Sequence, residues 1–264
     1  MSTPNRYDQS NIDTMEMVYG RGYLSGGGDE EVVKILDGIN LRDAHVLDLG
    51  CGMGGATLAM LSRLEAHHVT GFDIDSDLLI RADELVREGG YEDRCTLVAG
   101  SPGPLPFEDK KFDCVYMTAV SCHLEDLPGF FRDIHRVLKP GGILAGCEWL
   151  IREHNVAFHA WNDMLRERGL NFYFAEHQTF RDALNCVPFD AVELRERTDG
   201  LMEFSRSALA RVESELRAPL IESLGEAGFE ALRTWAEVRY FAMRDGGMQQ
   251  SHFRARRPAV ADRP

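Results

Sequence analysis

The stretch VLDLGCGMGGAT, residues 46–57, decides the fold. HVLDLG reads as a short buried strand, and GATLAMLSRLEA carries apolar residues at helical spacing. Between them Gly50, Gly52 and Gly55 satisfy G-x-G-x-x-G. Such a turn lets the backbone approach a ligand at the end of the strand. Outward from it the alternation continues. HHVTGFDI, RCTLVAG, FDCVYMTAV and ILAGCEWL read as strands. DEEVVKILDGI, SDLLIRADELVREGG (Ser76 as N-cap, Gly89 as stop) and LPGFFRDIHRVLKPGG read as helices. Strands alternating with helices predict parallel βαβ units in a doubly wound sheet.

After Leu150 the rhythm changes. Residues 151–184 and 202–244 read as helices, and DAVELRER (190–197) and MQQSHFRARR (248–257) as strands. The expected architecture is an α/β, mostly parallel seven-stranded sheet with helical lid insertions. An N-terminal flap spans residues 1–28, the core 29–150, and residues 151–264 add lid helices and the last two strands.

The glycine loop suits two ligands, a nicotinamide dinucleotide or S-adenosylmethionine. Asp48 decides between them. A carboxylate there repels a pyrophosphate approaching the helix N-terminus, and suits a ligand carrying an ammonium and a sulfonium. Asp73 ends the second strand about twenty residues on, where a carboxylate accepts both ribose hydroxyls. A short-chain oxidoreductase is disfavoured by Asp48 and by the lack of any Tyr-x-x-x-Lys pair.

The net charge of −14 argues against nucleic acid and anionic membrane surfaces, and is compatible with a cationic or zwitterionic ligand. Six scattered cysteines read as free thiols, with no metal site. No run approaches a membrane span, and MSTPNRYDQSNID lacks a signal-peptide layout. A cytoplasmic protein, monomer or homodimer, acting on a small molecule is expected.

VLDLGCGMGG, VTGFDID, LPFEDKKFDCVYM and HRVLKPGGIL, in that order, resemble the class I S-adenosylmethionine-dependent methyltransferases. The resemblance implies a Rossmann-like fold and S-adenosylmethionine as cofactor, with Asp48, Gly50, Gly52, Asp73 and Ile74 in contact with it. Where that family has an acid for the adenine amino group, this chain has Ser101.

YGRGYLSGGG, upstream of the loop, narrows the resemblance to the phosphoethanolamine N-methyltransferases. It implies a flap folded over the cofactor, with Tyr19, Ser25 and Gly27 touching its methionine part. It also implies a Tyr7–His123 latch, whose histidine can accept a proton from an ammonium nucleophile. Arg168 aligns with a phosphate-binding arginine. The chain departs from the pattern where the family has an amine-contacting acid, which falls on Thr118 or Ala119, and where it has a tyrosine, at Leu170. No lysine follows Lys139, and Arg239 is the loose substitute. Glu148, Trp149, Trp161, Phe172, Tyr173 and His177 are further pocket candidates. The implied reaction is methyl transfer to an amine nitrogen, with a thioether sulfur second and a carbon or oxygen acceptor third.

Overall fold

The structure, a computed structural model, describes residues 9–259. In chain order the elements are α1 (Gln9–Tyr19), α2 (Gly28–Ile35), β1 (His45–Leu49), α3 (Gly55–Ser62), β2 (His68–Asp73), α4 (Ser76–Glu88), β3 (Cys95–Ala99), β4 (Phe112–Thr118), α5 (Leu127–Val137) and β5 (Leu138–Ile151). Then come α6 (Val156–Glu167), α7 (His177–Asn185), β6 (Asp190–Glu196), α8 (Thr198–Glu213), α9 (Arg217–Arg244) and β7 (Met248–Arg256). The seven strands lie in the order β3-β2-β1-β4-β5-β7-β6. Only β7 runs against its neighbours, pairing antiparallel with β5 and β6. The chain reverses direction across the sheet between β1 and β4, the switch point where open α/β sheets bind ligands.

The elements follow from burial. β1 and β4 are covered by helices on both faces, so Val46, Leu47, Val115 and Met117 are all fully enclosed. α5 buries Leu127, Phe131, Ile134 and Val137, one stripe at helical spacing. Asp126 caps it by accepting from Gly129 N at 2.8 Å, and Pro128 sits in its first turn. Burying a side chain such as Phe131 contributes about 2–3 kcal/mol. α7 joins this core through Phe180 and Leu184.

Several boundaries differ from the expectation. The N-cap of α4 is Asp75, not Ser76, because its carboxylate accepts from both Asp77 N and Leu78 N. α5 ends at Val137, before Pro140, and the following residues already belong to the extended β5. The span 151–184 is two short helices separated by an irregular segment. α9 is kinked at Gly225, whose φ of 71° is non-helical. The described part of the flap is not a loose strap: α1 buries Ile12, Val18 and Tyr19. Among the described residues no helix is long and apolar enough to cross a membrane.

Candidate functional site

One cavity of about 450 Å³ opens at the carboxyl ends of β1, β2 and β4. Its first half is made by backbone. β1 ends at Leu49, and Gly50 and Cys51 both donate to Phe72 O, at 2.8 and 3.1 Å. This ties the glycine loop to β2. Gly50 has φ 74°, and a Cβ there would stand 2.5 Å from Val120 Cγ2, so only glycine fits. Gly52 N donates to Asp73 Oδ2 at 2.8 Å, and Asp75 N to Asp73 Oδ1 at 2.9 Å. Asp73 is thereby pinned with its remaining lone pairs toward the cavity it lines.

Asp48 lies beneath the loop, 2% exposed, and accepts from Thr57 Oγ1 at 2.6 Å. Burial, with the nearby Asp73 charge, pushes its carboxyl up to about 7 against the Thr57 hydrogen bond. Gly55 N, at the start of α3, donates to Gly22 O at 3.0 Å, and a Cβ on Gly55 would sit 2.7 Å from that oxygen. The third glycine of the motif therefore admits the N-terminal segment. The amide that would greet a pyrophosphate already has a partner, a second reason beside Asp48 against a dinucleotide.

The second half is made by side chains. Trp149 on β5, Trp161 on α6 and Trp235 on α9 line it, and these are all the tryptophans of the chain. Phe172 and Phe174, between α6 and α7, complete the wall. Trp161 and Trp235 have ring centroids 5.3 Å apart, and Phe172 lies 4.8 Å from the ring of His123. Tyr173 N donates to Cys122 O at 2.7 Å, fastening this segment to the turn after β4.

Arg239 is the cation of this chamber. It is 5% exposed and lines the cavity. Its guanidinium lies 4.8 Å over Trp235 and 5.2 Å over Tyr19, and hydrogen-bonds the Tyr19 hydroxyl. Among the described residues no carboxylate pairs with it, and its buried Nε has no partner. A buried cation in that state is costly unless a ligand supplies the counter-charge.

Ser25, Asp48, Gly50, Gly52, Asp73, Ile74, Ser101 and His123 all line the cavity. Three expected contacts do not. Tyr19 packs under Arg239 instead. Gly27 has φ 123° and turns the chain into α2, a conformation that requires glycine there for backbone reasons. Arg168 is exposed at the end of α6, with its guanidinium on Ala231 O at 3.3 Å. α9 brings Arg239 to the cavity lining, and Arg168, just past the end of α6, is not part of it. Tyr7 lies outside the described residues. Trp235 was missed because a tryptophan on an amphipathic helix reads as core. The available signal was an arginine one helical turn on, at Arg239.

Glu148 stands behind the site. It is wholly buried, and its Oε1 accepts from Val120 N and Ser121 N, both at 2.9 Å. It thus anchors the turn that carries His123, while burial pushes its carboxyl up to about 7. Tyr173 and His177 lie outside the cavity lining.

Comparison with known proteins agrees with this geometry. Residues 47–146 match the family described as methyltransferase domain. The chain is 28% identical over 211 residues to phosphoethanolamine N-methyltransferase 1 of Arabidopsis thaliana, covering 80% of this chain and 42% of that one. It is 38% identical over 109 residues to cycloartenol-C-24-methyltransferase 1 of Oryza sativa subsp. japonica, covering 41% and 31%. It thus spans less than half the length of these curated relatives. Haemonchus contortus phosphoethanolamine N-methyltransferase 2, solved with phosphomonomethylethanolamine and S-adenosylhomocysteine, superposes with a TM-score of 0.88. The sequence identity is 21%, over 97% of this chain and 59% of that one, so it is the fold that is shared.

Proposed function

We propose, from the match of residues 47–146 to the methyltransferase domain family, that this chain is an S-adenosylmethionine-dependent methyltransferase of a small zwitterionic acceptor, with an amine nitrogen as first choice. The observation that carries the reading is the aromatic chamber whose buried Arg239 has no carboxylate partner among the described residues, opening directly off the glycine loop.

The residues present fit the cofactor. Ile74, 55% exposed, offers an apolar face to adenine beside Ser101. Asp73 would accept hydrogen bonds from the ribose hydroxyls, and Ser25, Asp48, Gly50 and Gly52, which line the same cavity, would hold the methionine end. When bound, the cofactor supplies an electrophilic methyl on a sulfonium. The protein's part is alignment and dryness. The tryptophans and phenylalanines exclude water and face the cation that forms on the acceptor, an interaction worth about 0.5–2 kcal/mol. His123 takes the proton that an ammonium nucleophile must lose. Arg239 meets an acidic group at the acceptor's other end.

The Haemonchus protein was solved with a phosphorylated amine. Here Leu170 and the missing lysine narrow the anionic subsite to Arg239, so phosphobase-like and amino-acid-like amines both fit. A thioether is the second reading, favoured by Ala119, because sulfur has no proton to lose. The deciding experiment incubates the chain and cofactor with pooled amines, amino acids, phosphobases and thioethers. The expected result is an amine product heavier by one methyl. A screen in which only acceptors without an acidic group react would sink the role given to Arg239.

A further inference from the structure

The first turn of α2 holds three consecutive acids with three different fates. Asp29 accepts from the Tyr23 hydroxyl at 2.7 Å, and Glu30 pairs with Arg63 at 2.7 Å on the surface. Glu31 turns inward and lines the cavity. Its Oε1 accepts from His252 Nε2 on β7 at 2.6 Å. His252 is registered opposite Cys147, and two residues along the same face Gln250 is registered opposite Trp149. Cys147, Trp149 and Gln250 also line the cavity. Glu31 therefore belongs to the floor of the aromatic chamber.

The other acids lining the cavity, Asp48, Asp73 and Asp75, lie at the ends of β1 and β2 in the cofactor half. The strand-end turn at Thr118 and Ala119 carries none. We propose that Glu31, oriented by His252, is the carboxylate that meets the cationic head of the acceptor. This rests on the reading of the chamber as the acceptor site.

The electrostatics favour a fixed charge over a base. Burial raises the Glu31 carboxyl, but the hydrogen bond and charge of His252, together with Lys34 at 3.6 Å, outweigh it and hold the group below the usual carboxylate range. Glu31 stays ionised at neutral pH and makes a poor proton acceptor. As the C–S bond breaks and the bond to the acceptor forms, positive charge passes from sulfur to the acceptor atom. A fixed carboxylate on the acceptor side stabilises that transfer. The oxygen, sulfur and nitrogen donors of Glu31, Cys147 and His252 lie within 4.8 Å of one another. Two of them are already hydrogen-bonded together, which suits an organic cation beside the pair better than a metal between them.

The test is calorimetry on the full chain, first with S-adenosylhomocysteine and then, on that complex, with tetramethylammonium as a charge probe and tert-butanol as its neutral counterpart. Glu31→Gln is expected to weaken tetramethylammonium at least 10-fold while leaving tert-butanol and S-adenosylhomocysteine within 2-fold. His252→Gln, whose amide still donates to Glu31, is expected to keep most of the affinity, and His252→Leu to lose it. Tetramethylammonium binding unchanged in Glu31→Gln overturns the proposal and leaves methyl transfer standing. Loss of S-adenosylhomocysteine binding in that variant also overturns it, by moving Glu31 to the cofactor's ammonium. Failure of wild type to bind S-adenosylhomocysteine removes the methyltransferase reading and this proposal together.

Discussion

The two halves of the cavity are built on opposite plans. The cofactor half is made by main chain: Gly50, Gly52 and Gly55, two strand ends, and carboxylates clamped by amides. The other half, proposed above for the acceptor, is made by large side chains delivered from β5, α6, α9 and β7. Backbone plans tolerate few residue types at each position. Side-chain plans can change one wall at a time, which is how one scaffold serves acceptors of different chemistry.

The largest expected effect tests the junction of the two halves. If the acceptor is an amine, His123→Ala lowers kcat by roughly 10²–10⁴-fold, the usual range for a lost general base. A pH–rate profile that is flat from about pH 6 to 8 would place the acceptor among the thioethers and reduce His123 to a wall of the site. Next, Asp73→Ala is expected to weaken cofactor binding by about 1.5–3 kcal/mol, the range for a lost charge-assisted hydrogen bond, without altering the preference among acceptors. If acceptor preference shifts as well, the halves are not separable.

Arg239→Met probes the other half. It should raise KM for acidic acceptors about 10-fold or more and leave cofactor affinity alone. The melting temperature should hold or rise, because an apolar side chain relieves a buried cation that has no counter-ion among the described residues. A large loss of stability would instead make Arg239 a structural post for Tyr19 and Trp235.

The smallest effect concerns pH. Burial pushes the carboxyls of Asp48 and Glu148 up to about 7, above the ordinary range. Both then favour the folded state while protonated, and that contribution is lost as pH rises toward and through 7. Each contributes a slope of up to about 1.4 kcal/mol per pH unit in that window. Glu148→Gln keeps an acceptor for Val120 and Ser121 and removes one share. Its melting temperature should fall less than wild type between pH 5.5 and 8, and equal slopes would contradict the shift at Glu148.

The difference between the halves also explains what could be read in advance. The loop motif is contiguous, and Gly50 and Gly55 answer local steric demands, so the place of Gly50, Gly52, Asp48 and Asp73 at the cavity was legible together with the sheet. Trp149, Trp161, Trp235 and Arg239 share no spacing, and tertiary folding alone brings them to one chamber. Gly27 misled because a glycine required for φ looks the same in sequence as one required for contact. Tyr19 misled because its partner, Arg239, lies 220 residues away. Ser76 and Asp75 are adjacent and equally suited to capping by residue type.

The position of β7 bears on how the molecule comes to exist. Among the described residues β6 hydrogen-bonds to β7 alone, and β7 lies between β5 and β6. While residues up to 247 emerge from a ribosome, β5 and β6 are both open edges, the kind that other chains can pair with. The Glu31 partner His252 and the chamber residue Gln250 arrive with that final insertion. The glycine loop is assembled from strands made long before, so the nascent chain forms the backbone-built half of the cavity well ahead of the half lined by aromatic side chains.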